Sequence, residues 1–216
     1  IYTGEDTLSL HDALPILVSI YKGLGEAKKI GRFDFINSVK DSLEFAKKLA
    51  QDYKTVHLIG HSWGGCIALN IFRDALKPQK RGQIILLAPF TDFPKDGSIE
   101  SWLIPMSKDG RIPLKVGSDR ARENFFAVEN LYPPKKDLEI LPQNDNQFTI
   151  IEAIDDPDVP NEYTTGLLNT LKKSRRKIQI FRLEDDHLFS KNRENIINTV
   201  LESIDTYKFN KLFSLK

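Results

Sequence analysis

The segment Gly60-His61-Ser62-Trp63-Gly64-Gly65 places a serine between small residues, at a spacing that suits covalent chemistry. A serine hydroxyl is a weak nucleophile. It attacks a carbonyl only when a base reaches its proton and nothing crowds its approach. A tight turn from a strand into a helix meets both needs, because it lifts the side chain above the sheet in a strained backbone conformation. The neighbours fit such a turn. Thr55–Ile59 reads as a strand, and Cys66, Leu69, Phe72 and Leu76 continue as a helix that Pro78 stops. Gly60 and Gly64 are expected to leave room where strand and helix approach. The Trp63 N–H is expected to hold the oxyanion at the start of the helix. The other reading of the segment is a glycine-rich turn with a structural serine.

The elements that must position this turn alternate strand and helix. That pattern predicts an α/β fold, a mostly parallel sheet flanked by helices. Leu17–Tyr21 reads as a short strand broken by Gly23 and Gly25. Asp34 can cap a helix with one apolar stripe, Ile36, Val39, Leu43, Ala46 and Leu49. Gln83–Ala88, Phe148–Ile154 and Lys177–Leu183 read as near-continuous buried strands. Asn161 can cap a helix carrying Leu167, Leu168 and Leu171, and Ser190 a last helix buried through Ile196, Ile197, Val200, Leu201 and Ile204. Between 91 and 147 the alternation fails, over a stretch rich in Pro, Asp, Lys and aromatics. A plain connection takes ~2–6 residues, so this one is read as an inserted cap or lid, with a surface insertion of no binding role as the alternative. Residues 17–90 and 148–216 then form the core, and 1–16 a leader outside it.

The run His57-Leu58-Ile59-Gly60-His61-Ser62-Trp63-Gly64-Gly65 resembles the nucleophile-bearing turn of the α/β-hydrolase superfamily, and the resemblance extends from about Leu17 to the end of the chain. Within that superfamily the chain is similar to the bacterial serine hydrolases grouped with acylglycerol lipases and serine aminopeptidases. The resemblance implies a catalytic order of Ser, acid, then His. Of His11, His57, His61 and His187, only His187 follows Ser62, in Leu183-Glu184-Asp185-Asp186-His187 before a helix. This makes His187 the expected base, against the alternative of an exposed loop histidine. His57 reads as a packed core residue, and His61 as a neighbour whose side chain the turn points elsewhere. The acid is expected after the preceding strand, where Asp156 to Pro160 resembles the family's Asp-x-x-Val-Pro. Asp156 is therefore the expected acid, with Asp155 and Asp158 as competitors and Asp92 behind them. Ala153 departs from the glycine usual in the family, which loosens that register.

Only 61 residues precede Ser62, fewer than the family's upstream strands need. The resemblance thus implies a chain truncated by about three strands, among them one whose loop gives the second oxyanion N–H. Ile1–Pro15 matches no family position and resembles translated sequencing-adapter sequence. The 216 residues carry a net charge of +1 and one cysteine, Cys66. Such a balance predicts no nucleic-acid partner, and one cysteine forms no internal disulfide, which suits a reducing, cytoplasmic setting. No apolar run approaches the ~20 residues of a membrane helix, and no secretory signal is read. No zinc spacing, G-x-G-x-x-G or P-loop occurs, so no metal or organic cofactor is expected. The expected function is a serine hydrolase acting on a small carboxylic ester, or on an amide or thioester, through an acyl-enzyme on Ser62. The alternative is an inactive fragment or a binding scaffold without a complete oxyanion hole.

Overall fold

The computed structural model describes residues 16–18, 34–94, 119–141, 147–174 and 176–213. The leader up to Pro15, the glycine break at Gly23 and Gly25, and cap residues 95–118 and 142–146 lie outside them. Among the described residues five strands form one parallel sheet in chain order: β1 (Ile16–Val18), β2 (Val56–His61), β3 (Arg81–Leu87), β4 (Gln147–Ala153) and β5 (Lys177–Leu183). The register runs Leu17 to Leu58, Ile59 to Ile85, Ile85 to Thr149 and Thr149 to Gln179. Parallel neighbours need a crossover between them, so all C-terminal strand ends meet on one edge. Loops at that edge are where an open α/β sheet places a site.

The side-chain alternation of the strands divides the core. Leu58, Ile84, Leu86, Phe148 and Ile150 face a large cluster shared by helices α1 (Phe35–Asp52), α2 (Trp63–Asn70), α3 (Asp119–Leu131) and α4 (Asn161–Lys173). Ile85 and Ile151 face the other way, against Ile196, Val200 and Ile204 of α5 (Arg193–Phe213). Helix α1 forms as its stripe predicts, with Val39, Leu43 and Ala46 buried and Asp34 accepting from the Asn37 N–H at 2.8 Å. Helix α3 belongs to the same core. Phe125 and Val128 are fully buried, and the Asn124 side chain accepts the Phe35 N–H at 2.7 Å, adding a second cap to α1.

Three local expectations shift. Ile197 and Leu201 are exposed, at 57% and 54%, and the sheet-facing stripe of α5 instead includes Thr199, Ser203 and Tyr207. The reason is a buried polar group on that face of the sheet: Gln83 Nε2 and Thr149 Oγ1 both bond to the Ser203 hydroxyl. Buried polar groups must be bonded, so these partners fix the helix rotation together with Ile196, Val200 and Ile204. The α5 cap is Asn192, which accepts the Asn195 N–H at 3.0 Å, while Ser190 bonds Asp186. The residue before α4 is Pro160, and Asn161 is its first helical residue.

The turn from β2 into α2 is built on one close approach. A Cβ at Gly60 would lie 2.3 Å from the Gly64 carbonyl oxygen. The second tight contact is at Gly65 rather than Gly64: a Cβ at Gly65 would stand 2.6 Å from the Pro89 Cβ, whereas one at Gly64 would meet nothing within 4 Å. Gly60→Ala should therefore cost at least about 3 kcal/mol, since backbone must move. Gly64→Ala should be neutral or gain up to about 1 kcal/mol, because Ala is the better helix former. Urea denaturation of the two variants checks the contrast; equal losses would contradict it.

Candidate active site

Ser62 sits at φ 52° and ψ −121°, a backbone conformation that L-residues adopt only when the surroundings impose it. Three hydrogen bonds impose it here. The Ser62 N–H donates to the Leu87 carbonyl at 2.9 Å, and the Ser62 carbonyl accepts from Gly65 at 2.8 Å and Phe90 at 2.9 Å. The turn is thus fastened to the end of β3 as well as to its own helix. Ala88 and Phe189, at φ 39° and 51°, carry the same kind of strain at the same edge of the sheet.

The Trp63 N–H is the first amide of α2, one of the donors at a helix start with no carbonyl a turn earlier to bond. The Trp63 indole lies edge-on to Phe35 with centroids 5.0 Å apart and donates to Ser38 Oγ at 3.1 Å, which anchors that residue to α1. A second converging amide from residues 1–30 falls outside the described residues, apart from Ile16–Val18.

His187 and Asp156 come from the loops after β5 and β4. His187 Nδ1 stands 2.7 Å from Asp156 Oδ2, with both side chains at most 7% exposed. The other carboxylate oxygen, Oδ1, accepts the N–H groups of Asp158 and Val159 at 2.8 and 2.9 Å. One oxygen is therefore spent on the loop and one on the imidazole, so the carboxylate cannot rotate. The Ser62 hydroxyl and His187 Nε2 are not hydrogen-bonded to each other; such contacts often tighten only once substrate binds. Two competing acids point elsewhere. Asp155 pairs with Lys191 at the surface, and Asp92 pairs with Lys135. Asp158 contributes its backbone N–H to Asp156.

His57 is buried against Tyr207, and its Nδ1 accepts the Gln83 N–H at 3.2 Å. His61 does not turn away from the site. Its Nε2 lies 2.6 Å from the His187 carbonyl oxygen, and burial holds its pKa below the ordinary 6.5. Sequence reasoning also passed over Asp185, which is 3% exposed. Its carboxylate accepts the N–H groups of Asp186 and Lys191 at 2.9 and 3.0 Å, and of Asn192 at 3.3 Å. It ties the histidine loop to the start of α5. An acid two residues before a loop histidine and eight before a helix was the available signal, but its neighbours Glu184 and Asp186 carry the same charge in sequence.

Cys66 is buried, and burial pushes its thiol up to about 12, so it stays protonated and unreactive. Among the described residues no cluster of three or more His, Cys, Asp or Glu side chains could hold a metal ion. Nor is any described helix long and apolar enough to cross a membrane.

The strand order, the strained serine turn and the loops gathered at one sheet edge define the α/β-hydrolase fold. The sequence profile of the alpha/beta hydrolase family matches residues 23–181, and the chain belongs to that family. Among solved structures it is similar to a thermophilic esterase of the Planctomycetes species Thermogutta terrifontis, with TM-score 0.56 and 16% identity over 81% of this chain and 64% of that one. Esterase B from Lactobacillus Rhamnosis gives TM-score 0.54 and 14% identity over 83% of this chain and 62% of that one. Porphyromonas gingivalis dipeptidyl peptidase 4 gives TM-score 0.53 and 14% identity over 79% of this chain and 22% of that one. The chain thus spans less than two thirds of the length of either esterase chain. No curated protein sequence matches it.

Two outcomes follow for stability. Asp185→Ala should cost about 2–4 kcal/mol, because it leaves three loop amides without their acceptor; a loss under 1 kcal/mol in urea titration would contradict this. His61 binds a proton more readily unfolded than folded. Its contribution is complete above about pH 6.5 and is lost as pH falls toward its lower folded value. The urea midpoint should therefore fall between pH 7 and pH 5, and less steeply in His61→Gln. Parallel slopes would contradict that assignment.

Proposed function

We propose that this protein is a serine hydrolase that cleaves a small carboxylic ester through an acyl-enzyme, with Ser62 as nucleophile, His187 as base and Asp156 as the acid that orients it. The observation that carries the reading is the buried His187–Asp156 pair, 2.7 Å between nitrogen and oxygen, at the same sheet edge as the strained Ser62 turn. The Asp156 carboxylate accepts from Nδ1–H, which leaves the lone pair on Nε2 to take a proton. Ser62 Oγ attacks the carbonyl carbon as its proton passes to Nε2. The negative charge that develops on the carbonyl oxygen is held by the Trp63 N–H. Collapse expels the alcohol, protonated by His187, and a water activated by the same nitrogen releases the acid.

Family membership supports hydrolysis, and two similar structures are named as esterases, which favours an ester over an amide or thioester. One of those esterases is phosphonylated by sarin. A fluorophosphonate is accordingly the direct probe of Ser62. A single buried thiol suits a reducing, cytoplasmic setting. The 91–147 insertion is proposed to supply residues that shape the acyl or alcohol pocket.

Ser62→Ala should abolish both fluorophosphonate labelling and hydrolysis of a short p-nitrophenyl ester while the protein stays folded. Asp156→Asn should keep the fold and lose roughly 10³–10⁴ in kcat through the wrong imidazole tautomer. Turnover by folded Ser62→Ala equal to that of the parent chain would sink the reading. A folded parent chain that neither labels nor turns over would favour a non-catalytic scaffold.

A further inference from the structure

His61 is the last residue of β2, directly before the nucleophile. Its Nε2 lies 2.6 Å from the backbone carbonyl oxygen of His187. A carbonyl oxygen only accepts, so the proton sits on Nε2 and His61 donates. The His61 and His187 rings lie 4.9 Å apart and inclined at 39°, and Phe189 flanks His61 at 6.0 Å. Phe189 is one of the residues held at positive φ, and its N–H closes a turn onto the Asp186 carbonyl at 3.0 Å.

We propose that His61 is a positioning residue for the base: its Nε2–H fixes the His187 main chain and its ring braces the imidazole face, so that Nε2 of His187 is held toward Ser62. The proposal rests on the catalytic reading given above. Asp156 and His61 restrain different motions. Asp156 acts on the ring through Nδ1 and governs its tautomer and rotation. His61 acts on the peptide that carries the ring, and so on how far the base stands from the hydroxyl. It also links the strand bearing the nucleophile directly to a loop that follows β5, three strands away in the sheet. A neutral His61 does this without placing a second positive charge beside the imidazolium that forms during attack.

The test uses three readouts on the full chain. Long-range nitrogen–carbon NMR should find the His61 proton on Nε2 at pH 7.5; a proton on Nδ1 would overturn the proposal without any need for turnover. His61→Phe keeps a ring and removes the donor. It should lower kcat about ten- to hundred-fold with KM within about two-fold, since a displacement near 1 Å at the reacting groups costs about that much. His61→Gln places an amide N–H near the former Nε2 and should recover kcat to within about five-fold of the parent. A His61→Phe variant with kcat within two-fold of the parent overturns the proposal, as does a His61→Gln variant as slow as His61→Phe. If His61→Phe does not fold, the His61→Gln rate and the tautomer decide. Undiminished turnover in Ser62→Ala would sink the catalytic reading and this proposal together. An inactive Ser62→Ala beside a fully active His61→Phe would sink this proposal alone.

Discussion

The turn that carries Ser62 closes only because residue 60 has no side chain. The backbone of Gly64 occupies the space where a Cβ would stand, and that approach is what lets α2 begin immediately after β2. Ser62 takes up the bend in its own φ and ψ, and the bonds from Phe90 and to Leu87 keep it there. The turn itself therefore takes its position from backbone packing.

The loops that face the turn are held by a different device. Carboxylates bond backbone N–H groups inside short loops: Asp156 holds Asp158 and Val159, and Asp185 holds Asp186, Lys191 and Asn192. Asp186 in turn holds Leu188 and Ser190. Loops have little core to pack against, so such bonds replace apolar burial as the source of rigidity. Burial still matters for the Asp156–His187 pair, which is almost out of contact with solvent. There the low dielectric strengthens the one bond that the imidazole needs.

What was legible in the sequence was what depends on near neighbours. The strand at 177–183, the stripe of α1 and the glycine-serine turn could all be read because periodicity and turn chemistry are local. The order of residues and the likeness of Asp156–Pro160 to Asp-x-x-Val-Pro point to the Asp156–His187 contact, while Asp155 and Asp158 stay as competitors in the sequence. The shifts came where a distant partner decides. Ile197 and Leu201 looked like a continuation of an apolar face, but Gln83 and Thr149, more than fifty residues upstream of Ser203, rotate α5 away from them. Gly64 looked like the spacer, but Pro89 sits over Gly65 instead. His61 reads as pointing away because nothing in its own segment says that the His187 carbonyl, 126 positions further on, lies beside it.

Because the described strands lie side by side in the order of the chain, each new strand docks on the one made just before it. Each pairing, such as Leu58 with Ile84 or Ile84 with Phe148, closes a crossover between strands distant in sequence, and such non-local pairing is slow. The serine turn follows β2, whereas the histidine loop follows β5. A chain emerging from the ribosome presents the Ser62 turn when β2 and β3 have paired, before β5 and α5 exist. The Ser62 turn and the Asp156–His187 pair are brought to one edge only once β5 has paired with β4. Helix α5, which follows the histidine loop, covers the second face of the sheet behind them.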